Sequence, residues 1–434
     1  MQDYNDNNQK NRKQGVRRPS GGQQQRPQGQ KRSVNGQRRP SGQPGPRGQQ
    51  RPLNAPKRPT AAPKARPKKK AKKKKWKIAL FVVELLVICI LVGVCWAMSK
   101  ANKIQHVQIT DEEKKEELAI DEGIMESEAL KGYRNIALFG VDSREGQLDT
   151  STRTDTIMIA SINLDTKEVK LVSVYRDTWL NLSTDSYNKA NAAYARGGYK
   201  QAIAMLNMNL DLNIEDFATI GFEGLIDVID AVGGIEIDVK QAEIQHINSY
   251  QISMVGRPTG ELNANGEPNY TAVEGVEYIP VTKAGVQTLN GLQATAYARV
   301  RYVGSDLERA SRQRTVLTKV AKKAMTLNPA TLNKIADAVF PKVMTSLSLS
   351  EILDLLKDIA SYDIGETTGF PFEDHIVPNG RVGSASVVVP VDLEKNVSLL
   401  HEFLFDEENY EPSDTVKKCS KKIASDTGIS YNGE

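Results

Sequence analysis

Short apolar runs separated by polar segments form the clearest pattern along the chain, and they are densest over residues 135–177. Three such runs lie at residues 136–139, 156–162 and 169–174. Each run is rich in Ile and Val and is bounded by Gly, Asp, Ser, Thr or other polar residues, which is typical of β-strands. The pattern therefore predicts three strands that are close together in the sequence.

Charged residues cluster where these three predicted strands begin or end. Asp142 follows the first run, and Arg153 and Asp155 precede the second. Arg176 and Asp177 follow the third. Acidic and basic side chains gathered at strand ends indicate a functional site more often than a requirement of the fold. We therefore expect a functional site here.

The segment after Asp177 alternates between predicted helices and strands. It predicts, in order, a helix over 190–210, a strand over 217–222, a helix over 223–232 and a strand over 235–239. Gly197 and Gly198 mark either a break in the first helix or a tight helix start. Such alternation is typical of a sheet that is buried between helices. The predicted fold class is therefore α/β with a central, largely buried sheet.

Further predicted elements lie in the second half of the chain. Residues 240–280 are polar and contain Gly, Asn and Pro, so they predict a long insertion or lid over one end of the sheet. Residues 346–362 predict an amphipathic helix that begins at a capping Ser. The segments TTGFPF and SASVVVPVD predict two late strands.

A second group of charged residues follows the predicted lid. A helix is predicted from about Asp306, and Asp306, Arg309 and Gln313 then share one face at spacings i, i+3 and i+7. Arg299 and Arg301 precede that helix at spacing i, i+2. Their side chains point the same way if that run is a strand.

Charge is distributed unevenly along the 434 residues. Residues 1–75 carry 23 Lys and Arg residues and two acids, whereas the remainder carries 35 basic and 51 acidic residues. The first 75 residues have almost no large apolar side chain, so they predict a disordered tail. Its charge fits either a contact with nucleic acid or anionic lipid, or a solvated tail that sets membrane orientation. The second interpretation is preferred because an apolar run follows, and no nucleic-acid partner is expected.

Residues 78–98 form that apolar run, with Glu84 as its one charged residue and Trp76 and Trp96 near its ends. At about 1.5 Å per residue the run spans a hydrocarbon core of roughly 30 Å. It is longer than the apolar part of a typical signal peptide, and no clear small-x-small cleavage site follows it. The preceding Lys residues predict a cytoplasmic N-terminus. We therefore expect a single-pass anchor in the cell membrane, with the rest of the chain outside the cytoplasm.

These patterns divide the chain into five predicted segments. The stalk is predicted from the charged composition of its segment, and the C-terminal tail from its polarity. The segments are a disordered basic cytoplasmic tail (1–75), a transmembrane helix (76–98), an extracytoplasmic helical stalk (99–132), a compact domain (133–405) and a loose polar tail (406–434).

Several common functional classes are excluded by motifs that the sequence lacks. Cys89 and Cys95 lie in the apolar run and Cys419 stands alone, so neither a disulfide framework nor a zinc-type spacing is present. No P-loop, GxSxG, HExxH or dinucleotide-binding glycine motif occurs. These absences argue against P-loop NTPases, serine hydrolases of the α/β class, zinc peptidases and dehydrogenases.

The charged residues form an unusual set of arginines and carboxylates. Arginine binds phosphate oxygens through paired hydrogen bonds, and carboxylates without His or Cys beside them suit Mg²⁺. Together they indicate a metal-bridged diphosphate whose cleavage arginines assist. A lattice of surface ion pairs, worth about 0–1 kcal/mol each, explains the spacing equally well. The set comprises Asp142, Asp155, Asp306, Arg153, Arg176, Arg299, Arg301, Arg309 and Arg312.

Seven motifs resemble, in the same order, those of the LytR–CpsA–Psr family. They cover about residues 133–325 and read NIALFGVDSR, STRTDTIMIASINLD, VSVYRDTWL, YNKANAAYARGG, LIDVIDAVGGIEIDV, LNGLQATAYARVRY and DLERASRQR. The resemblance implies an α/β/α sandwich with a hydrophobic pocket for a polyprenyl tail. It also implies a membrane-anchored phosphotransferase of Gram-positive bacteria. Such enzymes move a glycopolymer, for example teichoic acid or capsule, from an undecaprenyl diphosphate carrier to peptidoglycan through a phosphodiester, with Mg²⁺ at the diphosphate.

The resemblance also implies roles for individual residues. Asp142 and Asp155 match metal-associated carboxylates, and Arg153 and Arg176 match arginines that hold the diphosphate and support catalysis. The phosphate-binding residues of the family are matched by Arg299, Arg301, Arg309 and Gln313, with Asp306 nearby. Lys189 and Asn191 match a further motif that either supports the fold or lines the pocket rim.

The sequence alone leaves two features of the resemblance open. The family usually has Pro before the Arg-Asp pair, where this chain has Tyr175, so the local backbone is in question while the role of Arg176 is not. The segment 202–212 carries four apolar residues that either line a pocket for the polyprenyl tail or pack in an ordinary core. They are Ile203, Leu206, Leu210 and Leu212.

The resemblance thus implies a glycopolymer phosphotransferase in which arginines stabilise the transferring phosphoryl group. Asp155 is the candidate for accepting the proton of the acceptor hydroxyl. Two alternatives stay open at this point. One is a polyprenyl diphosphate hydrolase that uses water, and the other is a non-catalytic membrane regulator that acts through the basic tail.

Overall fold

The computed structural model describes most of the chain after residue 102. The predicted basic tail at 1–75 lies outside the described residues, and so does the predicted transmembrane helix at 76–98 apart from Ile88. Among the described helices, none is long and apolar enough to cross a membrane. The described residues are 103–142, 148–149, 152–263, 266, 268–301 and 303–430, together with Ile88 and Ser99.

The described ranges form a mixed α/β fold around one large sheet. In chain order the strands are β1 (Gln105–His106), β2 (Tyr133–Val141), β3 (Thr154–Asn163), β4 (Glu168–Val174), β5 (Trp179–Asn181), β6 (Tyr187–Lys189), β7 (Asp216–Gly221), β8 (Ile235–Val239), β9 (Arg257–Leu262), β10 (Pro268–Thr271), β11 (Gly285–Leu289), β12 (Val343–Thr345), β13 (Asp363–Phe370), β14 (Ile376–Val382) and β15 (Ala385–Pro390). The strand order in the large sheet is β1-β12-β7-β2-β3-β4-β13, and the other strands pair as β5–β6, β8–β11, β9–β10 and β14–β15.

Helices connect these strands and pack on the sheet. Short 3₁₀ turns supplement them at several connections. The α-helices of the described ranges are α1 (Asp111–Glu117), α2 (Glu122–Glu126), α3 (Glu128–Lys131), α4 (Asn191–Leu210), α5 (Phe222–Ala231), α6 (Ile244–Val255), α7 (Gly291–Arg299), α8 (Asp306–Ala324), α9 (Pro329–Val339), α10 (Leu349–Lys357), α11 (Leu393–Phe405) and α12 (Asp414–Thr427).

The three predicted central strands are confirmed as β2, β3 and β4, which are neighbours in the large sheet. β3 runs antiparallel to both β2 and β4. β7 is parallel to β2, and β13 is parallel to β4. The carboxyl ends of β2, β4, β7 and β13 therefore lie at the same edge of the sheet as the beginning of β3.

Helices cover both faces of the central strands. Successive side chains of a strand point to opposite faces. In β2, Ala137, Phe139 and Val141 join the main core with α4, α11 and α12. Ile136 and Leu138 pack on the other face, against side chains of α8 and α10. Burial on both faces explains why these strands read as nearly continuous apolar runs.

Most other predicted elements are confirmed with boundaries shifted by a few residues. The strand predicted over 217–222 is β7, and the one over 235–239 is β8. The helices predicted over 223–232 and 346–362 are α5 and α10. TTGFPF overlaps β13, and SASVVVPVD contains the whole of β15.

The long helix predicted over 190–210 is α4. Of the two predictions for Gly197 and Gly198, a break in the helical backbone is confirmed, and Gly198 has a φ of 66°, which favours glycine. The four apolar residues of segment 202–212 are completely buried in the main core, as ordinary core packing requires. They are Ile203, Leu206, Leu210 and Leu212.

The segment predicted as a lid has regular structure of its own. Residues 240–280 contain α6 and the hairpin of β9 and β10. Ile247 of α6 is completely buried in a second apolar cluster that also includes Ile235 and Ile237 of β8. This cluster anchors the segment to the rest of the domain. Residues 240–280 are a packed subdomain and are called the lid.

Residues 103–132 do not form the extended helical stalk that their charge predicts. They fold into β1 and the short helices α1, α2 and α3. β1 pairs with β12 at the edge of the large sheet. Leu118 and Leu130 are completely buried in the main core. A few apolar side chains among the charged ones are enough to pack this segment against the main core. The packed domain therefore begins before Tyr133.

The segment after residue 405 is also part of the domain, and the prediction of a loose tail is wrong. α12 buries Val416, Cys419 and Ile423, which stand on one face at spacings i, i+3 and i+7. Ahead of this helix, Ser413 donates its backbone N–H and its hydroxyl to the buried carboxylate of Asp211, each at 2.7 Å. These contacts tie α12 to the end of α4.

The run that carries Arg299 and Arg301 is not a strand. Arg299 is the last residue of α7, and Arg301 lies in the connection to α8. The start of α7 explains the helix. The Asn290 side chain accepts a hydrogen bond from the backbone N–H of Gln293 at 2.8 Å, and Oε1 of Gln293 accepts one from the backbone N–H of Asn290 at 3.0 Å. This reciprocal capping favours a helix from Gly291 onwards.

The packing of residues 103–132 is testable at Leu118. Leu118→Ala is expected to lower the free energy of unfolding by about 2–5 kcal/mol, because it leaves a cavity in the main core. Denaturant titration of the purified protein, followed by circular dichroism, measures the change. Met125→Ala on α2 is the control, since Met125 is 41% exposed, and it is expected to stay within about 0.5 kcal/mol of the wild type. Equal, near-zero effects of the two variants would contradict the packing.

Candidate functional site

The candidate residues meet at the sheet edge where β2 and β4 end and β3 begins. Asp142 follows β2 directly, Asp155 is the second residue of β3, and Arg176 lies two residues after β4. The antiparallel pairing of β3 with both neighbours brings these positions together. The convergence predicted from the three apolar runs is therefore present.

Asp155 is the carboxylate at the centre of this group. Nη1 of Arg176 donates a hydrogen bond to its Oδ1, and Nη2 of Arg301 lies 3.4 Å from its Oδ2. Gln313 donates from Nε2 to the backbone carbonyl of Asp155 at 3.4 Å. Burial by itself raises the pKa of Asp155, but the charges of Arg176, Arg301 and Arg309 outweigh burial and lower that pKa below its ordinary value. Asp155 is thus held as an ionised hydrogen-bond acceptor.

Arg309 is a buried cation on the first turns of α8, and only 3% of the residue is exposed. Its Nη2 lies 2.7 Å from Oδ1 of Asp306, one turn earlier in the helix. Within the described part of the chain, no acceptor reaches its Nε or Nη1. Burial lowers its pKa to about 10, although the Asp306 carboxylate opposes that shift. A desolvated guanidinium with two unused donors is suited to an incoming anion.

Arg176 is held by a ring of carboxylates and by its backbone. Its Nε lies 3.8 Å from Oδ1 of Asp177 and 3.8 Å from Oδ1 of Asp306. Burial disfavours its charge, but Asp155, Asp177 and Asp306 prevail and raise the pKa of Arg176. The guanidinium of Arg176 therefore stays charged.

Lys189 and Asn191 support the backbone around Arg176. Nζ of Lys189 lies 3.4 Å from Oδ2 of Asp177. The backbone N–H of Asn191 donates to the carbonyl of Arg176 at 3.0 Å. A cavity lies beside Asp155 and Arg309, and neither Lys189 nor Asn191 is among the described residues that line it. Of the two roles that the resemblance left open, these contacts fit support of the fold.

Arg299 lies between two aromatic rings. Its guanidinium carbon is 4.3 Å from the ring centroid of Phe222 and 5.3 Å from that of Tyr250. Its Nη2 is 3.9 Å from Oδ2 of Asp142. Aromatic contacts of this kind fix the plane of a guanidinium group. Sequence reasoning missed Phe222 and Tyr250, because single aromatic residues at the start of α5 and in α6 form no recognisable motif.

The charged residues border a cavity of about 780 Å³. Arg176 and Asp306 are not among its described lining residues, but they contact two that are, Asp155 and Arg309. Residues of the lid also border the cavity. Six of the predicted site residues line it, namely Asp142, Asp155, Arg299, Arg301, Arg309 and Gln313.

Two arginines of the sequence set stand apart from this cavity. Arg153 is exposed at the beginning of β3, and its predicted role stays a prediction. Arg312 is buried, and its Nε lies 2.8 Å from Oε1 of Glu243 at the start of the lid. It also donates to the carbonyls of Val300 at 3.1 Å and Val303 at 2.6 Å. Arg312 thus ties the lid to the connection that carries Arg301.

Tyr175, where the resemblance leads us to expect Pro, continues the sheet pairing next to Arg176. Its backbone N–H donates to the carbonyl of Phe370 at 2.9 Å, which continues the pairing of β4 with β13. Proline has no N–H and cannot make this bond. The phenol ring lies against Gly369, where any side chain would collide with it. The backbone hydrogen bond of Tyr175 therefore extends the pairing of the strand that ends just before Arg176.

The oxygen donors of the cavity decide whether a magnesium ion fits. In the part of the chain that the structure describes, no cluster of three or more His, Cys, Asp or Glu side chains forms a metal cage. The carboxylates of Asp142 and Asp155 both line the cavity. Mg²⁺ commonly binds through one or two carboxylates and completes its shell with water and substrate phosphate. These residues fit an ion that binds together with a diphosphate.

Similar proteins include one from Bacillus subtilis and one from Streptococcus mutans. The polyisoprenyl-teichoic acid–peptidoglycan teichoic acid transferase TagT of Bacillus subtilis is 28% identical over 320 residues, which cover 71% of this chain and 90% of TagT. Biofilm regulatory protein A of Streptococcus mutans is 32% identical over 255 residues. That match covers 54% of this chain and 57% of the relative.

Solved structures show the same fold. A protein of Streptococcus agalactiae is 25% identical with a TM-score of 0.51, covering 67% of this chain and 94% of its own. A protein of Enterococcus faecalis described as a transcriptional regulator is 24% identical with a TM-score of 0.50, covering 69% and 97%. The profile of the LytR_cpsA_psr family matches residues 92–383, which is most of the sequence. The chain belongs to the LytR–CpsA–Psr family.

Proposed function

We propose that the chain is a membrane-anchored phosphotransferase that moves a glycopolymer from a polyprenyl diphosphate carrier to peptidoglycan through a phosphodiester bond. Arg309 carries the proposal, because it is a buried cation that lines a cavity and has two donors without acceptors in the described part of the chain. Arg299 and Arg301 line the same cavity. Such a site is built for a polyanion. The name of TagT, a teichoic acid transferase, supports the same reaction class.

The proposed chemistry exchanges one phosphate ester for another. The hydroxyl oxygen of the acceptor attacks the phosphorus atom that carries the glycopolymer. The bond from that phosphorus to the bridging oxygen breaks, the polyprenyl phosphate leaves, and the hydroxyl proton is released. Arg301 and Arg309 stabilise the charge that moves onto the leaving phosphate, and they need no reorganisation because Asp155 and Asp306 already hold them.

The charges around Asp155 change the role that the sequence suggested for it. Its pKa is lowered by Arg176, Arg301 and Arg309 against the effect of burial, so it is a weak base. We therefore assign Asp155 to holding the arginines, in place of accepting the proton of the acceptor hydroxyl.

Magnesium and the membrane anchor are part of the proposal. Asp142 and Asp155 would hold Mg²⁺ together with the diphosphate, and the ion would neutralise phosphate charge. Residues 76–98 would anchor the catalytic domain at the outer surface of the cell membrane, with residues 1–75 in the cytoplasm. The apolar run and the Lys residues before it support this topology. A lipid-linked substrate presented at the membrane surface is then within reach.

The phosphotransferase proposal is tested with Arg176→Ala. The full-length protein is mixed with Mg²⁺, a synthetic polyprenyl diphosphate saccharide and peptidoglycan glycan oligomers, and products are measured by mass spectrometry. The variant is expected to transfer at least about 100-fold more slowly, because Arg176 no longer holds Asp155, which positions Arg301 beside the reacting phosphate. Arg381→Ala is the control, since Arg381 is exposed on β14, and it should match the wild type.

Other products would support other functions. Saccharide phosphate released without any adduct on the glycan would indicate a hydrolase. No turnover by the wild type, together with normal biological activity of Arg176→Ala in cells, would indicate a regulator without catalysis.

Metal dependence is tested at Asp142. Asp142→Asn is expected to raise the Mg²⁺ concentration needed for half-maximal transfer by at least about 10-fold. Losing even a residue that only hydrogen-bonds to a metal ligand lowers metal affinity by about 10-fold or more, and Asp142 is proposed as a ligand itself. Mg²⁺ titration after treatment with EDTA measures the effect. Asp165→Asn in the exposed turn between β3 and β4 is the control. Full activity of the wild type in EDTA would contradict the role of magnesium.

The charge state of Asp155 is tested by pH. Asp155→Asn is expected to lower the free energy of unfolding by about 1–3 kcal/mol near neutral pH, because Arg176 and Arg301 lose a charged acceptor. The folded-state pKa lies below the ordinary value of 3.8. The advantage of the wild type is therefore complete above that value and is lost as pH falls through the folded pKa.

Denaturant titrations of the wild type and Asp155→Asn from neutral pH down to about pH 2.5 measure this difference. Asp165→Asn serves again as the exposed control and should stay within about 0.5 kcal/mol of the wild type throughout. A wild-type advantage that does not shrink at the acid end would show that Asp155 is not ionised as described.

A further inference from the structure

The first turns of α8 carry two rows of side chains with different surroundings. Arg309 and Gln313 belong to the first row and line the cavity, together with Asp306 one turn earlier on the same face. Each of these three residues is followed directly by a member of the second row, which is Leu307, Ala310 and Arg314. Both rows stand on the same helical turns, so a contact that fixes the second row also fixes the first.

Tyr175 is the residue on which the second row packs. It forms a buried apolar cluster with Ala310 and Val388, and Leu307 packs against that cluster. Arg314, one turn after Ala310, is a hydrogen-bond partner of the Tyr175 phenol. Burial raises the pKa of Tyr175 although Arg314 opposes that shift, so the phenol stays neutral and its oxygen accepts from the guanidinium. One side chain thus supports the first turns of α8 through its ring and its hydroxyl.

A glycine on β13 makes room for the ring of Tyr175. β13 runs parallel to β4, and Gly369 pairs with Ser173, two residues before Tyr175. A methyl group on Gly369 would overlap the hydroxyl oxygen of Tyr175 and the ring carbon that carries it. Gly369 does not have a positive φ, so the space that the ring occupies explains the glycine better than backbone conformation does. The ring is therefore enclosed between β13 and α8.

Tyr175 is also joined directly to Arg176 of the charged site. Nε of Arg176 lies 3.8 Å from Oδ1 of Asp306. The same oxygen lies 2.7 Å from Nη2 of Arg309. Two consecutive residues at the end of β4 therefore meet both rows of α8, Tyr175 the second row and Arg176 the first. The ring of Tyr175 sets where these turns lie, and the turns set where the buried guanidinium of Arg309 lies.

The later turns of α8 have a separate support. Leu317 and Ala321 pack in another apolar cluster, which contains Leu171 of β4 and Ile364 of β13. Loss of the Tyr175 ring leaves this contact in place while the first turns lose theirs. A change at Tyr175 is therefore expected to move Arg309 without detaching the helix from the sheet.

We propose that Tyr175 is a positioning residue, which holds the first turns of α8 so that Arg309 meets the second of the two linked phosphates. This inference rests on the proposed transfer reaction, in which the cavity arginines bind a diphosphate. Tyr175 is not among the described residues that line the cavity, so its effect on the ligand passes through α8.

The experiment measures binding by the full-length protein in detergent, without turnover. Titration calorimetry compares polyprenyl diphosphate with polyprenyl monophosphate of equal chain length. Tyr175→Leu removes the ring and the hydroxyl, Tyr175→Phe removes the hydroxyl alone, and Gly369→Ala pushes against the ring without changing Tyr175. Gly365→Ala on the same strand is the control, because its added methyl group meets the carboxyl end of the flexible Glu168 side chain.

Tyr175→Leu and Gly369→Ala are expected to weaken diphosphate binding about 10-fold, or about 1.4 kcal/mol, and to leave monophosphate binding within about 2-fold of the wild type. The preference for the diphosphate falls because Arg309 is displaced. Tyr175→Phe is expected to keep most of that preference, since its ring still supports Leu307 and Ala310. Gly365→Ala should match the wild type with both lipids.

A double variant tests whether Gly369 acts through the ring. Leucine does not reach the place of the phenol oxygen, so Gly369→Ala is expected to cost less than about 2-fold in diphosphate affinity when it is added to Tyr175→Leu. An equal cost in the presence and absence of the ring would show that Gly369 acts by another route, and would contradict the proposal.

Circular dichroism and thermal unfolding establish that each variant is folded at the temperature of the titration. Folded Tyr175→Leu and Gly369→Ala variants that keep the wild-type preference, whatever their loss of stability, would reduce Tyr175 to a purely structural role. Failure of both variants to fold would overturn the proposal as well, because the later turns of α8 are held independently of Tyr175.

The positioning role and the phosphotransferase proposal fail separately. Transfer by the wild type, together with an unchanged diphosphate preference in the variants, removes the positioning role alone. Absence of transfer by the wild type, together with a diphosphate preference that depends on Tyr175, removes the phosphotransferase alone.

Discussion

The carboxylate of Asp155 and the guanidinium of Arg176 meet where β3 begins and β4 has just ended, and each side chain is only 18% exposed. Charges at that depth are costly unless they are paired. Arg301 and Gln313 complete the coordination of Asp155 from the connection before α8 and from α8 itself. These ion pairs and hydrogen bonds therefore link β3, the end of β4, the connection before α8 and α8 itself. Arg309 lies buried beside the cavity, and two of its donor atoms have no acceptor in the described part of the chain.

The lid is joined to this network by a buried ion pair. Nε of Arg312 lies 2.8 Å from Oε1 of Glu243, and the same guanidinium holds the carbonyls of Val300 and Val303 on either side of Arg301. Removing one partner of such a pair leaves an uncompensated charge, so the contact favours a single arrangement of lid and arginines. The lid and the cavity arginines are thereby kept in a fixed relation, as the proposed transfer reaction requires.

The sequence predicts this architecture where the signal is local. The apolar runs of β2, β3 and β4 and the helical spacing of Asp306, Arg309 and Gln313 are visible in short windows and are confirmed. Residues 103–132 and 414–427 were misjudged because their docking depends on few apolar side chains, such as Leu118 and Val416, spread among charges. The pairing of Arg312 with Glu243 joins positions 69 residues apart, so no local pattern could separate Arg312 from the arginines of the cavity.

The central claim is that the cavity arginines recognise two linked phosphates. The most direct measurement compares the affinity of the full-length protein for polyprenyl diphosphate and for polyprenyl monophosphate of equal chain length. We expect the diphosphate to bind at least about 10-fold more tightly, a difference of about 1.4 kcal/mol, and Arg309→Met to remove most of that preference. Equal affinities for the two lipids, or a preference that survives in Arg309→Met, would contradict the account.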